Sequence, residues 1–267
     1  MARLRFLKLM VGAWFTVLLS ASAAPDTAEH AYPSSFRIAF KIGTDLYETL
    51  DDKFQKSVYP EPIQLETMDA PVITPVEGND DDKVVKKVSV SAGYIDLINH
   101  IAHAKAIDKI QPGFFTTYMQ NLSKDNAAES PPKMVDPRFW TDDVMNDQIS
   151  YFNQMIGMTL AINLSHHYYG HYAKYANQML AGKLVPINNF ITKAEWDVTV
   201  KAAALNALNS ALGTDGIKAL FEAIGAMQTR PAWTAFIVPP AGVADLKKLN
   251  SQLGDYEKKF FKGGLKL

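Results

Sequence analysis

Apolar positions along the chain follow two periods, one of about two residues and one of about 3.6, and their order predicts a mixed N-terminal third followed by helices. Phe36, Ile38, Phe40, Leu46, Leu50 and Phe54 predict a strand or helix entry followed by an amphipathic helix. Pro60, Pro62, Pro71 and Pro75 keep the next stretch extended, with a short strand over residues 63–68. Residues 78–82, Gly-Asn-Asp-Asp-Asp, read as a solvated turn. Alternation through Val88, Ser89, Val90 and Ser91 makes residues 84–91 the clearest strand, and Ala92-Gly93 ends it.

Helical spacing then takes over. Ile95, Ile98, Ala102 and Lys105 lie along one row of a helix over 94–110, with Leu97, Ile101 and Ala104 beside it. Gln111-Pro112-Gly113 stops it, and a short amphipathic piece follows at 114–122. Residues 123–137 are loop by composition. Thr141, with Asp142 and Asp143 behind it, caps a long central helix expected to reach about Ala181. Forty helical residues would span about 60 Å, so a bend or break is expected near Gly157. Helices are predicted again over 192–212, 214–227 and 243–261. The expected fold class is α+β, a helix-dominated single domain over 24–267 with a small sheet in its N-terminal third.

The first 23 residues are excluded from that fold. Arg3, Arg5 and Lys8 precede a mostly apolar run from Met10 to Leu19, and Ala21-Ser22-Ala23 offers small residues for cleavage. This is the order of a secretory signal peptide, with mature protein expected from Ala24. The polar leader over 24–35 is expected to be loosely held. Removing the signal takes away three basic residues and no acid, so 27 basic and 28 acidic side chains become 24 and 28. That balance gives no electrostatic case for nucleic acid, and no transmembrane segment is expected after cleavage. With 0 Cys, any metal site must be built from His, Asp, Glu and water.

Candidate chemistry concentrates in residues 158–175, which hold His166, His167 and His171. Helical spacing predicts that His167 and His171 sit one above the other, as two imidazoles gripping one metal would. His100 and His103, three apart on the earlier helix, are the other histidines placed to complete a site. Thr192-Lys193-Ala194-Glu195 is a capping-box sequence, which competes for the Glu195 carboxylate.

The strand over 84–91, the histidine helix and the later segment Ala194-Glu195-Trp196-Asp197 together resemble the gluzincin zinc metallopeptidases of the CAAX prenyl-protease type. In that family an edge strand ending in a Ser-x-Gly-type turn precedes a helix with H-E-x-x-H, and a later helix adds a glutamate in an E-x-x-x-D pattern. The resemblance covers about residues 84–205 and is interrupted by an insertion at about 111–145. It implies a metallopeptidase-like fold, a zinc cofactor and a peptide-binding cleft. Laid on H-E-x-x-H, Ile162 takes the place of the first ligand, Asn163 that of the general-base glutamate, and His166 that of the second ligand. His171 matches a further histidine five residues on. Glu195 falls on the third ligand and Thr199 on the aspartate that orients the first histidine.

Isoleucine cannot bind zinc, and asparagine cannot take a proton from a zinc-bound water. Any zinc held by His166 and Glu195 alone would be weak or absent. The alternative register, His167 with His171, supplies a pair but puts Tyr168 where the base belongs. Without metal, the histidines can also be part of a hydrogen-bonded polar seam with Tyr168, Tyr169, Tyr172 and Tyr175. The reading is an exported protein, periplasmic or extracellular, with a degenerate zinc site, acting as a non-catalytic binding or scaffolding module for a peptide or protein. The alternative is a metal-dependent hydrolase with ligands drawn from His166, His167, His171 and Glu195.

Overall fold

The computed structural model describes residues 34–80, 83–124, 127–179 and 185–264. The expected signal peptide over 1–23 and most of the leader lie outside these residues. The first element among the described residues is helix α1, Ser35–Glu48, followed by a single turn, α2, Asp52–Gln55. Phe36 and Phe40 therefore belong to a helix and not to a strand entry, and both stay more than a third exposed while Ala39, Ile42 and Leu46 are buried.

Three strands follow, β1 (Ile63–Glu66), β2 (Ile73–Asp80) and β3 (Lys83–Ser91). β3 is central, parallel to β1 and antiparallel to β2, with Ile63 opposite Val88 and Ile73 opposite Val90. The family resemblance had implied an edge position for β3. The expected turn over 78–82 is shorter, because the hairpin keeps its pairing out to Asp80 and Lys83. β2 was hidden in the sequence by Pro71 and Pro75. Pro75 pairs with Val88 from an edge strand, where a missing N–H is tolerated.

Ser91 closes the sheet and opens α3, Ala92–Ile107: its hydroxyl accepts from Tyr94 N at 3.0 Å and Val72 N at 2.9 Å. Gly93 is needed there, since a Cβ would overlap the Asp69 carbonyl. Then come α4 (Phe114–Leu122), α5 (Asp142–Tyr168), α6 (His171–Tyr175), α7 (Lys193–Asn209), α8 (Asp215–Ala226) and α9 (Leu246–Phe261), with a 3-10 turn at Ile187–Asn189 between α6 and α7 and another at Ala232–Phe236 between α8 and α9. This is a helix-dominated α+β domain with one small sheet in its N-terminal third.

α5 is the axis of the core, packed by α1, α3, α7, α8 and the sheet. Every residue from Met155 to His167 is buried. A helix covered on all sides shows no polar stripe, which is why its C-terminal half reads as apolar throughout. It does not break at Gly157. That glycine instead admits a neighbour, since a Cβ would strike Leu212 Cδ1 and press on Ile42. The break comes at Tyr169-Gly170, where Gly170 takes φ 74°. Far along the chain, α7 returns to α1: Asn206 Nδ2 donates to Leu46 O at 2.8 Å, 160 residues away, and the Thr49 and Ser210 hydroxyls meet at 2.7 Å. Among the described residues no helix is long and apolar enough to cross a membrane.

Candidate functional site

The helix break decides where the three histidines point. Gly170 enters the left-handed region, so α5 ends and α6 restarts in a new direction at His171. His167 and His171 therefore do not form the stacked pair expected of one continuous helix. His166 and His171 meet instead, Nδ1 to Nδ1 at 3.2 Å, with ring centroids 5.4 Å apart. His167 turns to the sheet and donates from Nε2 to Lys87 O at 2.7 Å, which leaves its Nδ1 buried without a partner.

Around the pair the interior is nearly closed. His166 is 0% exposed and His171 5%. The hydroxyl of buried Thr199, on α7, reaches His171 Nδ1 at 3.4 Å. Asn188 stands beside His166 and holds the far side of the site by donating Nδ2–H to Ala235 O at 3.0 Å. With both rings neutral, one Nδ1 carries the proton and the other the lone pair, so this contact is a neutral hydrogen bond. His166 Nε2 has no close hydrogen-bond partner among the described residues, and Asn188 is the polar side chain that bears on the ring.

Burial pushes His166 down to about 3, and the neighbouring His171 and His167 push the same way against weaker support from Asn188 and Glu195. Burial also lowers His167 to about 4, against its bond to Lys87 O, and lowers His171. These rings are neutral at pH 7.

Glu195 is occupied. Its carboxylate accepts from Thr192 N at 2.7 Å, Thr192 Oγ1 at 2.8 Å, Lys174 Nζ at 2.7 Å and Tyr175 OH at 2.9 Å. The capping box read from the sequence is formed, with the Thr192 hydroxyl accepting from Glu195 N in return. Burial would raise this carboxyl, but the bonds from Lys174, Thr192 and Tyr175 outweigh it and hold the group at about 2. Glu195 and Thr199 are one turn apart on α7, so the carboxylate acts on both histidines through space while Thr199 makes the contact.

Neither a family model, nor a curated protein, nor a solved structure matches the chain.

Asn163, at the base position of the resemblance, is buried and donates Nδ2–H to Thr159 O at 2.8 Å, one turn back on its own helix. Ile162 is core, at 1% exposure. His100 interacts with Asp96 O, while His103 donates from Nε2 to Phe139 O at 2.6 Å and meets Trp140 edge-on, so each serves its own neighbourhood. Two nitrogens bound to one tetrahedral zinc stand about 3.3 Å apart, close to the His166–His171 separation. A third ligand is what the site lacks: among the described residues no three His, Asp or Glu side chains converge to hold a metal ion. The residues present fit half of a zinc site.

Sequence reading named His166, His171, Glu195 and Thr199, and all four lie in one region between α5, α6 and α7. It missed Asn188, and it did not foresee that Lys174 and Tyr175 bind Glu195. Both sit in the histidine segment itself, and their link to Glu195 runs through space with no local spacing to reveal it.

Proposed function

We propose that the protein is an exported, metallopeptidase-like module that binds or scaffolds a peptide or protein without hydrolysing it. The observation that carries this is the closure of the histidine pair, with His166 at 0% and His171 at 5% exposure. A hydrolytic metal needs an open position that water and a scissile carbonyl both reach, and the side chain at the base position, Asn163, bonds its own helix. Export rests on the charged, apolar and small-residue sections of residues 1–23.

The test is metal content by mass spectrometry on untagged, exported protein, beside cleavage of a quenched fluorogenic peptide with and without added zinc. Well under one zinc per chain and no cleavage are expected. A second reading, a metal hydrolase with a rearranged ligand set, is favoured by the 3.2 Å spacing of the two Nδ1 atoms. Stoichiometric zinc that resists mild chelation, lost in His171→Ala and accompanied by cleavage, would establish it in place of the first.

A further inference from the structure

On the other side of the Ile187–Asn189 turn from the histidine pair lies a cleft of about 610 Å³ between the C-terminal end of α8 and the Pro-Pro segment before α9. Asn188 and Asn189 separate the two regions. Asn188 stands beside His166 and bonds Ala235 O, while Asn189 lines the cleft. The walls are short and stiff: Pro231, Pro239 and Pro240 fix three backbone positions, with Ala232, Val238 and Ala241 between them. Arg230 is the one charged residue of the lining.

We propose that this cleft binds a small aliphatic carboxylate, with Arg230 pairing the anion and the proline and alanine walls covering its hydrocarbon body. Arg230 forms no ion pair with a carboxylate among the described residues. The one hydrogen bond it makes among them is a long one, from Nη1 to Pro239 O at 3.5 Å. A guanidinium has five N–H donors in a planar fork suited to a carboxylate, so most of its capacity is unused. Arg138, by contrast, is saturated by Asp136 through both Nε and Nη2. Arg230 is partly buried, which works against its charge, and a bound anion would relieve that cost. An arginine near a helix C-terminus can serve the helix dipole alone, but the carbonyl Arg230 contacts belongs to Pro239 and not to α8.

Ligand class follows from the lining. One cation with no acidic side chain around it suits one negative charge. No aromatic ring lines the cleft to stack a base or indole, and the apolar surface is aliphatic. A free short-chain acid and the C-terminal carboxylate of a peptide present the same chemistry here. The proposal does not rest on the absence of hydrolysis at the histidine pair.

Isothermal titration of the full mature chain tests it with four probes: hexanoate, hexanamide, Ala-Ala-Ala with a free C-terminus, and its C-terminal amide. At least one acid is expected to bind, and its amide to bind at least roughly tenfold more weakly, because a charge-assisted bond is lost. Arg230→Gln should cost the acid a similar factor, and Arg230→Lys less. Preference for hexanoate assigns a free acid, and preference for the tripeptide assigns a peptide terminus. Failure of all four to bind at millimolar concentration, or equal binding of acid and amide, overturns the proposal. The acid–amide comparison uses wild-type protein, so it stands even if an Arg230 variant misfolds.

Discussion

His166 and His171 face one another Nδ1 to Nδ1 at 3.2 Å, across the turn that Gly170 makes between α5 and α6. One of these nitrogens must donate and the other accept. A second proton on the pair leaves two donors pointing at each other in a closed interior, so the contact exists only while the rings share one proton at that interface.

Acid should therefore unfold the protein early. His103, His166 and His167 are held at about 4, 3 and 4 in the folded state, against 6.5 for a free histidine. Their folded values lie below the unfolded one, so the unfolded chain takes up the protons first. Stability is complete above pH 6.5 and falls as pH drops from there towards 4. Each such histidine contributes a slope of about 1.4 kcal/mol per pH unit within that window. Urea midpoints measured from pH 7.5 to 4.5 should fall steeply below 6.5. A flat profile down to pH 5 would show that the rings protonate in place.

Gly170→Ala should cost about 1 kcal/mol, from the left-handed backbone alone. A Cβ there meets nothing within 4 Å, so no packing clash adds to it. Gly170→Asn should cost less, because asparagine tolerates this conformation. Chemical denaturation of the two variants checks the order, and a loss of several kcal/mol in Gly170→Ala would contradict it.

Gly157→Ala should behave differently, since its Cβ strikes a side chain. Overpacking of this kind costs about 1–3 kcal/mol. Leu212→Ala removes the struck atom, Cδ1. The double variant should be more stable than the sum of the single changes predicts. Strict additivity in a denaturation cycle would mean that Leu212 moves aside freely.

Thr192→Ala should destabilise by about 1 kcal/mol through loss of the α7 cap, and Thr192→Ser should restore most of it. Thermal unfolding of both variants measures this. Equal melting temperatures for Thr192→Ala and wild type would show that Lys174 and Tyr175 hold Glu195 without the box.

The family register has its own test, Ile162→His combined with Asn163→Glu. An imidazole at 162 stands one turn before His166, whose Nε2 has no close hydrogen-bond partner among the described residues. Zinc affinity should rise by orders of magnitude, read by competition with a chromophoric chelator. Hydrolysis need not follow, because Thr199 provides no carboxylate to orient the new ring. No gain in a variant that is folded by circular dichroism means the metallopeptidase resemblance should be abandoned.

What the sequence revealed depended on whether the physics was local. The capping box at Thr192 and Glu195, the strand ending at Ser91 and the helices over 114–122, 192–212 and 214–227 are set by neighbouring residues, and each was readable. β2 was not, because its prolines suppress the strand signal while an edge position permits them. The histidine pairing was misread for one residue's sake. Tyr168-Tyr169-Gly170 fits a continuing helix by apolar spacing, and only the positive φ at Gly170 moves His171 from His167 to His166. Glu195's link to Lys174 and the Asn188 contact join residues that meet only once the chain has folded.

The bonds from α7 to α1 bear on how the chain is made. Asn206 and Ser210 close contacts with Leu46 and Thr49 that span about 160 residues. The face of α1 packs on α5 and α3, but the Leu46 carbonyl near its C-terminal end gains its bond only after about 160 further residues have been made, so α7 sets the last contacts of α1.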